Sequence, residues 1–388
     1  MLKIKTLNNI SPKGLEKFPA DLYEVGAEVA APDAIMVRSA KMHDMAIDSS
    51  VRAIGRAGAG VNNIPVDKMS ELGIPVFNAP GANANAVKEL VIAGMLLAAR
   101  NIVHAWDYTR SLEGDDATLN TQVEAGKKQF KGIELPERTL GVIGLGAIGV
   151  KVANAALDLG MKVLGYDPQI TVQNAWQLHS GVEQALSVDD LVSRSDFVTL
   201  HVPLVEATRN LINAERVAAL PPGATVLNFA RDGILDTDAV AKALDAGKLR
   251  AYVCDFPSNA LKKHPRVIAL PHLGASTDEA EDNCAIMIAK QLREFLEVGN
   301  IRNSVNFPET IMPPTPNATR ITIANRNVPN MVGQISTVLA NHNLNIADLL
   351  NKSRDTVAYT LVDVDGEVQE AVLDEIRAID GVLSVRKL

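Results

Sequence analysis

The stretch Thr139-Leu140-Gly141-Val142-Ile143-Gly144-Leu145-Gly146-Ala147-Ile148-Gly149 decides the fold of this chain. After Thr139, Leu140–Ile143 is a short run without a polar side chain, as in a strand buried on both faces of a parallel sheet. The glycines at 144, 146 and 149 follow at once, and Ile148, Val152, Ala156 and Leu159 then recur at helical spacing. Strand, glycine turn and helix in that order form a phosphate cradle. Gly144 permits the tight turn, Gly146 lets a pyrophosphate approach the backbone, and Gly149 lets helix and strand pack closely. The free N–H groups of the helix start, at Ala147 and Ile148, face the anion. The next apolar strand, Lys162–Tyr166, is closed by Asp167. That is the place of a carboxylate that accepts a ribose 2′-hydroxyl and repels a 2′-phosphate, so NAD is favoured over NADP.

Outward from this unit, short apolar runs alternate with helical stretches. Further strands are expected at Phe197–Leu200, Thr225–Phe229, Ala251–Cys254 and Val267–Leu270, each followed by a turn and a helix. Upstream, strand-like runs at 34–37, 51–55 and 74–78 flank a helix over 64–72. A long Ala-, Leu- and Met-rich helix is expected from Asn85 to Thr109. The fold class is α/β, with two doubly wound parallel-sheet domains. Four prolines between Pro308 and Pro316 mark a linker. Beyond it the pattern becomes β-α-β-β-α-β, a ferredoxin-like unit. The expected division is a substrate-binding domain over 1–92 completed by 283–307, a nucleotide-binding domain over 93–282, a linker over 308–317 and a regulatory unit over 318–388.

Nearly half of the 388 residues are apolar, an ordinary globular balance for two or three domains. A net charge of -8 disfavours general binding to nucleic acid or to anionic membranes. Cys254 and Cys284 form no CxxC pair, so no metal is expected, and two thiols fit a reducing cytoplasm. The start MLKIKTLNNI lacks an apolar leader, and no segment approaches a membrane span.

Three segments stand at expected strand ends: Asn228-Phe229-Ala230-Arg231-Asp232-Gly233, Cys254-Asp255-Phe256-Pro257, and Pro271-His272-Leu273-Gly274-Ala275-Ser276. Their N-x-A-R-x-G and P-H-x-G-x-S patterns, joined to the glycine turn, resemble the D-isomer-specific 2-hydroxyacid dehydrogenases. The resemblance implies that Arg231 holds the substrate carboxylate and carbonyl and that His272 is the general acid/base. A guanidinium offers a carboxylate a two-pronged fork, and an imidazole can take a hydroxyl proton near neutral pH. It also implies that His201, Val202, Pro203, Thr208, Phe229, Ala230, Arg231, Asp255, His272 and Gly274 border the NAD. His201 is read as structural, and Asp255 as the carboxylate that holds the nicotinamide amide. The family usually pairs its histidine with a glutamate in a Phe-x-x-Glu-Pro context. Here Asp255-Phe256-Pro257-Ser258-Asn259-Ala260 has none, which leaves Asn259, Glu279 and Glu281 as substitutes.

Members of the family that oxidise 3-phospho-D-glycerate match most closely over the whole chain, in their shorter form. The resemblance places Arg38, Ser39, Asn83 and Lys127 on the substrate phosphate and Gly58 on a substrate-facing loop. The last unit resembles an ACT domain, with Asn325, Asn327 and Asn345 at positions that hold L-serine between neighbouring subunits. The implied function is NAD-dependent oxidation of 3-phospho-D-glycerate to 3-phosphohydroxypyruvate by a homo-oligomer, a dimer or a tetramer, at the first step of L-serine synthesis. A glyoxylate or hydroxypyruvate reductase and a non-catalytic NAD-sensing scaffold are the alternatives.

Overall fold

The computed structural model describes residues 1–388. The chain divides into two compact units, Met1–Asn83 with Asp278–Leu388, and Ala84–Thr277. The divisions fall at the first residues of the two long helices, Ala84–Arg100 and Asp278–Val298, whereas the sequence pattern places them inside those helices at 92/93 and 282/283. Each helix buries an apolar stripe against one unit only, so cutting it would expose a core.

In the first unit, β1 (Leu2–Leu7), β2 (Tyr23–Gly26), β3 (Ala34–Val37), β4 (Ala53–Arg56) and β5 (Val76–Phe77) form a parallel sheet in the order β2-β1-β3-β4-β5. The helix Asp278–Val298 packs on β4 so closely that a side chain on Gly55 would strike Ile288.

The second unit is a seven-stranded parallel sheet. Its strands are β6 (Thr139–Ile143), β7 (Lys162–Tyr166), β8 (Glu183–Gln184), β9 (Phe197–Leu200), β10 (Ala224–Asn228), β11 (Leu249–Cys254) and β12 (Val267–Ala269), in the order β12-β11-β10-β9-β6-β7-β8. The order reverses between β6 and β9, and ligands of open α/β sheets gather at such a switch point. The expected helix after β11 is absent, and a loop joins β11 to β12. The expected helix from 85 to 109 is broken at Asn101, whose φ of 53° ends Ala84–Arg100 and starts Ile102–Ser111 in a new direction. Asn101 tolerates that left-handed backbone and bonds Phe130 O and Lys131 O through its amide. The helices Ile102–Ser111 and Asp116–Gly126 form an arm that buries no residue.

The last four strands, β13 (Ala318–Arg326), β14 (Ile346–Arg354), β15 (Val357–Asp365) and β16 (Val382–Lys387), form an antiparallel sheet in the order β14-β15-β13-β16. With the helices Met331–Asn341 and Glu370–Arg377 it is the expected ferredoxin-like unit. One sheet face packs on those helices through Ile321, Ile335, Val362 and Leu373. The other shares a core with the five-stranded domain. Tyr359 stands 6.3 Å from Phe295 and 6.4 Å from Phe307, ring to ring, and its hydroxyl donates to Gly299 O at 2.8 Å.

The proline-rich stretch between the two is strapped down instead of free. Arg320, buried in β13, donates to Asp363 at 2.6 and 2.8 Å, to Val298 O at 3.1 Å, to Met312 O at 2.8 Å and to Pro313 O at 2.9 Å. All five of its N–H groups find acceptors, which is the condition for a tolerable buried guanidinium. Burial raises the Asp363 carboxyl, but the bonds from Arg320 and Thr315 outweigh it and hold the group below its usual range. No helix is long and apolar enough to cross a membrane.

Candidate active site

Every catalytic and cofactor residue expected in the second unit follows the C-terminal end of one of its strands or starts the helix behind it. The Gly144 turn follows β6, Asp167 follows β7 and His201 follows β9. Asn228, at the end of β10, leads to Arg231, while Asp255 follows β11 and His272 comes shortly after β12.

The glycine turn is built as the sequence implies. Gly144 has a φ of 92°, and a side chain there would lie 2.6 Å from His201 O. A Cβ on Gly149 would lie 1.9 Å from Gly144 O. Gly146 differs, since a Cβ on it would meet no atom of the chain within 4 Å. Packing therefore does not demand a glycine there, but a ligand lying against the backbone would. Gly146 also caps the helix Ala147–Asp158 with no side-chain acceptor, so the N–H groups of the first turn stay available. Asp167 accepts Leu145 N–H, inside the turn, and Gln169 N–H, each at 2.8 Å. Open backbone, free helix start and adjacent carboxylate fit a dinucleotide.

The turn after β9 abuts this cradle. His201 Nε2 lies 3.0 Å from Thr199 Oγ1 inside the sheet. The residue keeps partial exposure, yet its ring is enclosed, and that burial drives its pKa down to about 3. It stays a neutral imidazole. Thr208 receives Val205 N–H at 2.9 Å and donates to Pro203 O, which closes the turn around Val202 and Pro203.

Asn228 shapes the segment that follows β10. Its side chain accepts Ala230 N–H at 3.1 Å and donates to Arg231 O at 2.9 Å. Arg231 is exposed and carries no carboxylate partner. Phe229 is buried against the helix Ala84–Arg100 at Gly94.

Asp255 is buried, and its two oxygens accept Leu273 N–H and Gly274 N–H at 2.8 Å each. The family resemblance assigns this carboxylate to the nicotinamide amide, and in the folded chain each of its oxygens also accepts an N–H of the His272 loop. His272 has a φ of 57°, a left-handed backbone that a non-glycine residue holds only under constraint, and the two bonds from Asp255 supply it. Its imidazole stacks at a tilt on Phe256, 5.0 Å between ring centres. Of the candidate substitutes for the missing glutamate, Glu281 is committed to an ion pair with Arg38, while Asn259 and Glu279 are exposed.

In the first unit, Arg38 and Ser39 follow β3. Asn8 Oδ1 accepts Ser39 N–H at 3.2 Å and Ala40 N–H at 2.5 Å, and Arg56 Nε donates to Arg38 O at 3.0 Å. The Arg56 guanidinium lies over Gly58, where a Cβ would fall 1.8 Å from it. Asn83 has a buried amide oxygen with no partner. Sequence reasoning passes over Asn8, whose only signal is a polar residue directly after a strand, whereas Arg56 opens the Gly58 loop that the resemblance already turns toward the substrate.

Lys127 opens the short helical turn Lys127–Phe130 that follows the arm. It is exposed beside Glu124 at the foot of the arm, close in the chain to Gln129, which lies at the opposite, N-terminal edge of the sheet. The effector residues are also separated. Asn325 pairs with Ala358 in register, while Asn345 O accepts Asp365 N–H. Most of β15 lies between these points, about 23 Å of strand. Asn325 is buried with its amide oxygen unpartnered, Asn327 donates to Asp355 O, and Asn345 donates to Asp365.

Residues 92–274 match the NAD-binding domain of the D-isomer-specific 2-hydroxyacid dehydrogenases. The chain belongs to the D-3-phosphoglycerate dehydrogenases. It is 40% identical over 294 residues to that enzyme of Methanocaldococcus jannaschii, covering 74% of this chain and 54% of the relative. It is 34% identical over 348 residues to that of Haemophilus influenzae, covering 87% and 81%. The chain thus spans about half the length of some curated relatives and most of others. The crystal structure of cofactor (NAD+) bound 3-phosphoglycerate dehydrogenase from Entamoeba histolytica superposes with a TM-score of 0.60 at 27% identity, over 79% of this chain and 98% of that one.

Proposed function

We propose that this chain oxidises 3-phospho-D-glycerate to 3-phosphohydroxypyruvate with NAD, the first step of L-serine synthesis. The observation that carries the reading is the shared edge: Arg231, Asp255 and His272 follow three neighbouring strands, on the side of the sheet that holds the Gly144 cradle and Asp167. NAD, when bound, accepts the hydride that leaves C2. His272 takes the proton of the C2 hydroxyl, so that the carbon–oxygen double bond forms without a stranded positive charge. Arg231 holds the carboxylate and draws charge from the developing carbonyl. Arg38, Ser39 and Asn83 hold the phosphate, with Asn8 and Arg56 positioning the strand-end loop.

The ferredoxin-like unit is read as an ACT domain that binds L-serine. A serine touching both Asn325 and Asn345 needs two chains, because one chain holds them at opposite ends of a sheet. An oligomer is supported by the arm as well, where Trp106 and Ile102 are 58% and 45% exposed on helices that bury nothing. Two buried free thiols suit the cytoplasm. The test is NADH formation from 3-phospho-D-glycerate by the wild type and by His272→Ala, with and without L-serine. Turnover that disappears in the variant supports the assignment. Equal turnover in both would remove His272 from the chemistry.

A further inference from the structure

The second unit has a cleft of about 520 Å³ at the N-terminal edge of its sheet, where β10, β11 and β12 begin. The length of one strand such as β10, roughly 17 Å, separates it from the catalytic edge. Its wall is divided. Leu97, Phe130 and Ile268 form an apolar side, while Arg250, Arg266 and His104 form a basic one. No aspartate or glutamate lines it.

Arg250 is half-buried and its guanidinium has no hydrogen-bond or ion-pair partner. The charges near it are of its own sign, from Arg138 and Arg266, and with burial they act against its protonated form. Arg266 spends one N–H on Leu249 O at 3.1 Å and keeps the rest of its fork free. Gathering like charges beside a partly dry cleft raises the local positive potential, and an anion relieves it. A guanidinium pair with free forks matches phosphate geometry, and an apolar wall facing it suits the body of an organic ligand.

We propose that this cleft binds an organic phosphate, with the phosphate on Arg250 and Arg266 and an apolar or aromatic body against Phe130 and Leu97. The site is separate from the one assigned to the dehydrogenase reaction and does not rest on it.

The test is calorimetric titration of the full chain, saturated with NAD, with phenyl phosphate and with inorganic phosphate. Phenyl phosphate should bind the wild type more tightly than inorganic phosphate, and its binding should survive Arg38→Gln, which disables the proposed substrate-phosphate contact. Arg250→Gln combined with Arg266→Gln should weaken it about tenfold or more, as loss of charge-assisted bonds does. NAD affinity in that variant should be unchanged, which shows that it is folded. Arg266→Glu, an exposed single change, supplies the same answer should the double variant fail that check. The site is refuted by any of three results. The wild type does not bind phenyl phosphate, as when a second copy fills the cleft; binding is equal in the arginine variants; or Arg38→Gln alone abolishes it. Equal affinity for the two probes removes the organic body from the proposal.

Discussion

Asp255 holds Gly274 N–H at 2.8 Å with one oxygen while the other takes Leu273 N–H, so the end of β11 fixes the left-handed backbone of His272 without touching its ring. Replacing Asp255 with Asn keeps the size but leaves only one acceptor atom for two N–H groups, that of Gly274 buried and that of Leu273 half-buried. The orphaned donor costs about 1–3 kcal/mol. Asp255→Asn should therefore lower both the unfolding midpoint and kcat, while the dissociation constant of NAD moves little. A variant with normal kcat would show that the loop holds its shape without this carboxylate.

The roles of the last two glycines of the turn can be separated. Gly149→Ala places a methyl 1.9 Å from Gly144 O and should destabilise the unit whether or not NAD is present. Gly146→Ala meets nothing in the chain. Its thermal midpoint without cofactor should match the wild type, while NAD affinity falls about tenfold or more, as expected when a close backbone approach is blocked. Unchanged NAD affinity in Gly146→Ala would mean that the pyrophosphate lies elsewhere.

Arg38 is bound to Glu281 in an ion pair that is more than a third exposed on both sides. Such a pair contributes only about 0–1 kcal/mol to stability. Its weight should appear in catalysis. Arg38→Ala should raise KM for 3-phospho-D-glycerate about tenfold or more, in line with the loss of a charge-assisted bond, and leave the KM of NAD alone. An unphosphorylated 2-hydroxy acid should be turned over equally by both proteins. If it is not, Arg38 acts on the reacting end.

Arg320→Ala or Asp363→Ala strands a buried charge and should cost about 3–5 kcal/mol in denaturant unfolding. The carboxyl of Asp363 is held below its unfolded value, so its contribution is complete above that value and disappears as pH falls through the folded one. In acid, the wild type should lose stability more steeply than a double variant that replaces both residues with apolar ones. Identical acid profiles would show that the pair carries no pH dependence.

Much of this was legible in the linear chain because it is local. An apolar run, three glycines and an acid at the end of the next strand are enough to specify strand, turn, helix and ribose carboxylate, since each step depends on neighbouring residues. The β-α-β-β-α-β order was legible for the same reason. Arg231 and His272 stand in family patterns, so a role for each could be assigned by resemblance. The break at Asn101 was not legible, because its left-handed backbone is favoured by amide bonds to Phe130 O and Lys131 O, far along the chain.

The sequence by itself determined the two kinds of sheet and the glycine cradle, and its family patterns singled out Arg231 and His272. Only the tertiary structure decided which partners the charged side chains hold. Asp255 serves the loop at Leu273 and Gly274, Glu281 is taken by Arg38, and Arg320 ties together β13, β15 and the proline-rich stretch. It also placed Lys127 away from the catalytic edge and set Asn325 and Asn345 at opposite ends of one sheet. The physical reason is that a charge or amide takes whichever partner the folded chain brings within about 3 Å. Spacing in the chain does not encode that proximity once the partners lie on different elements.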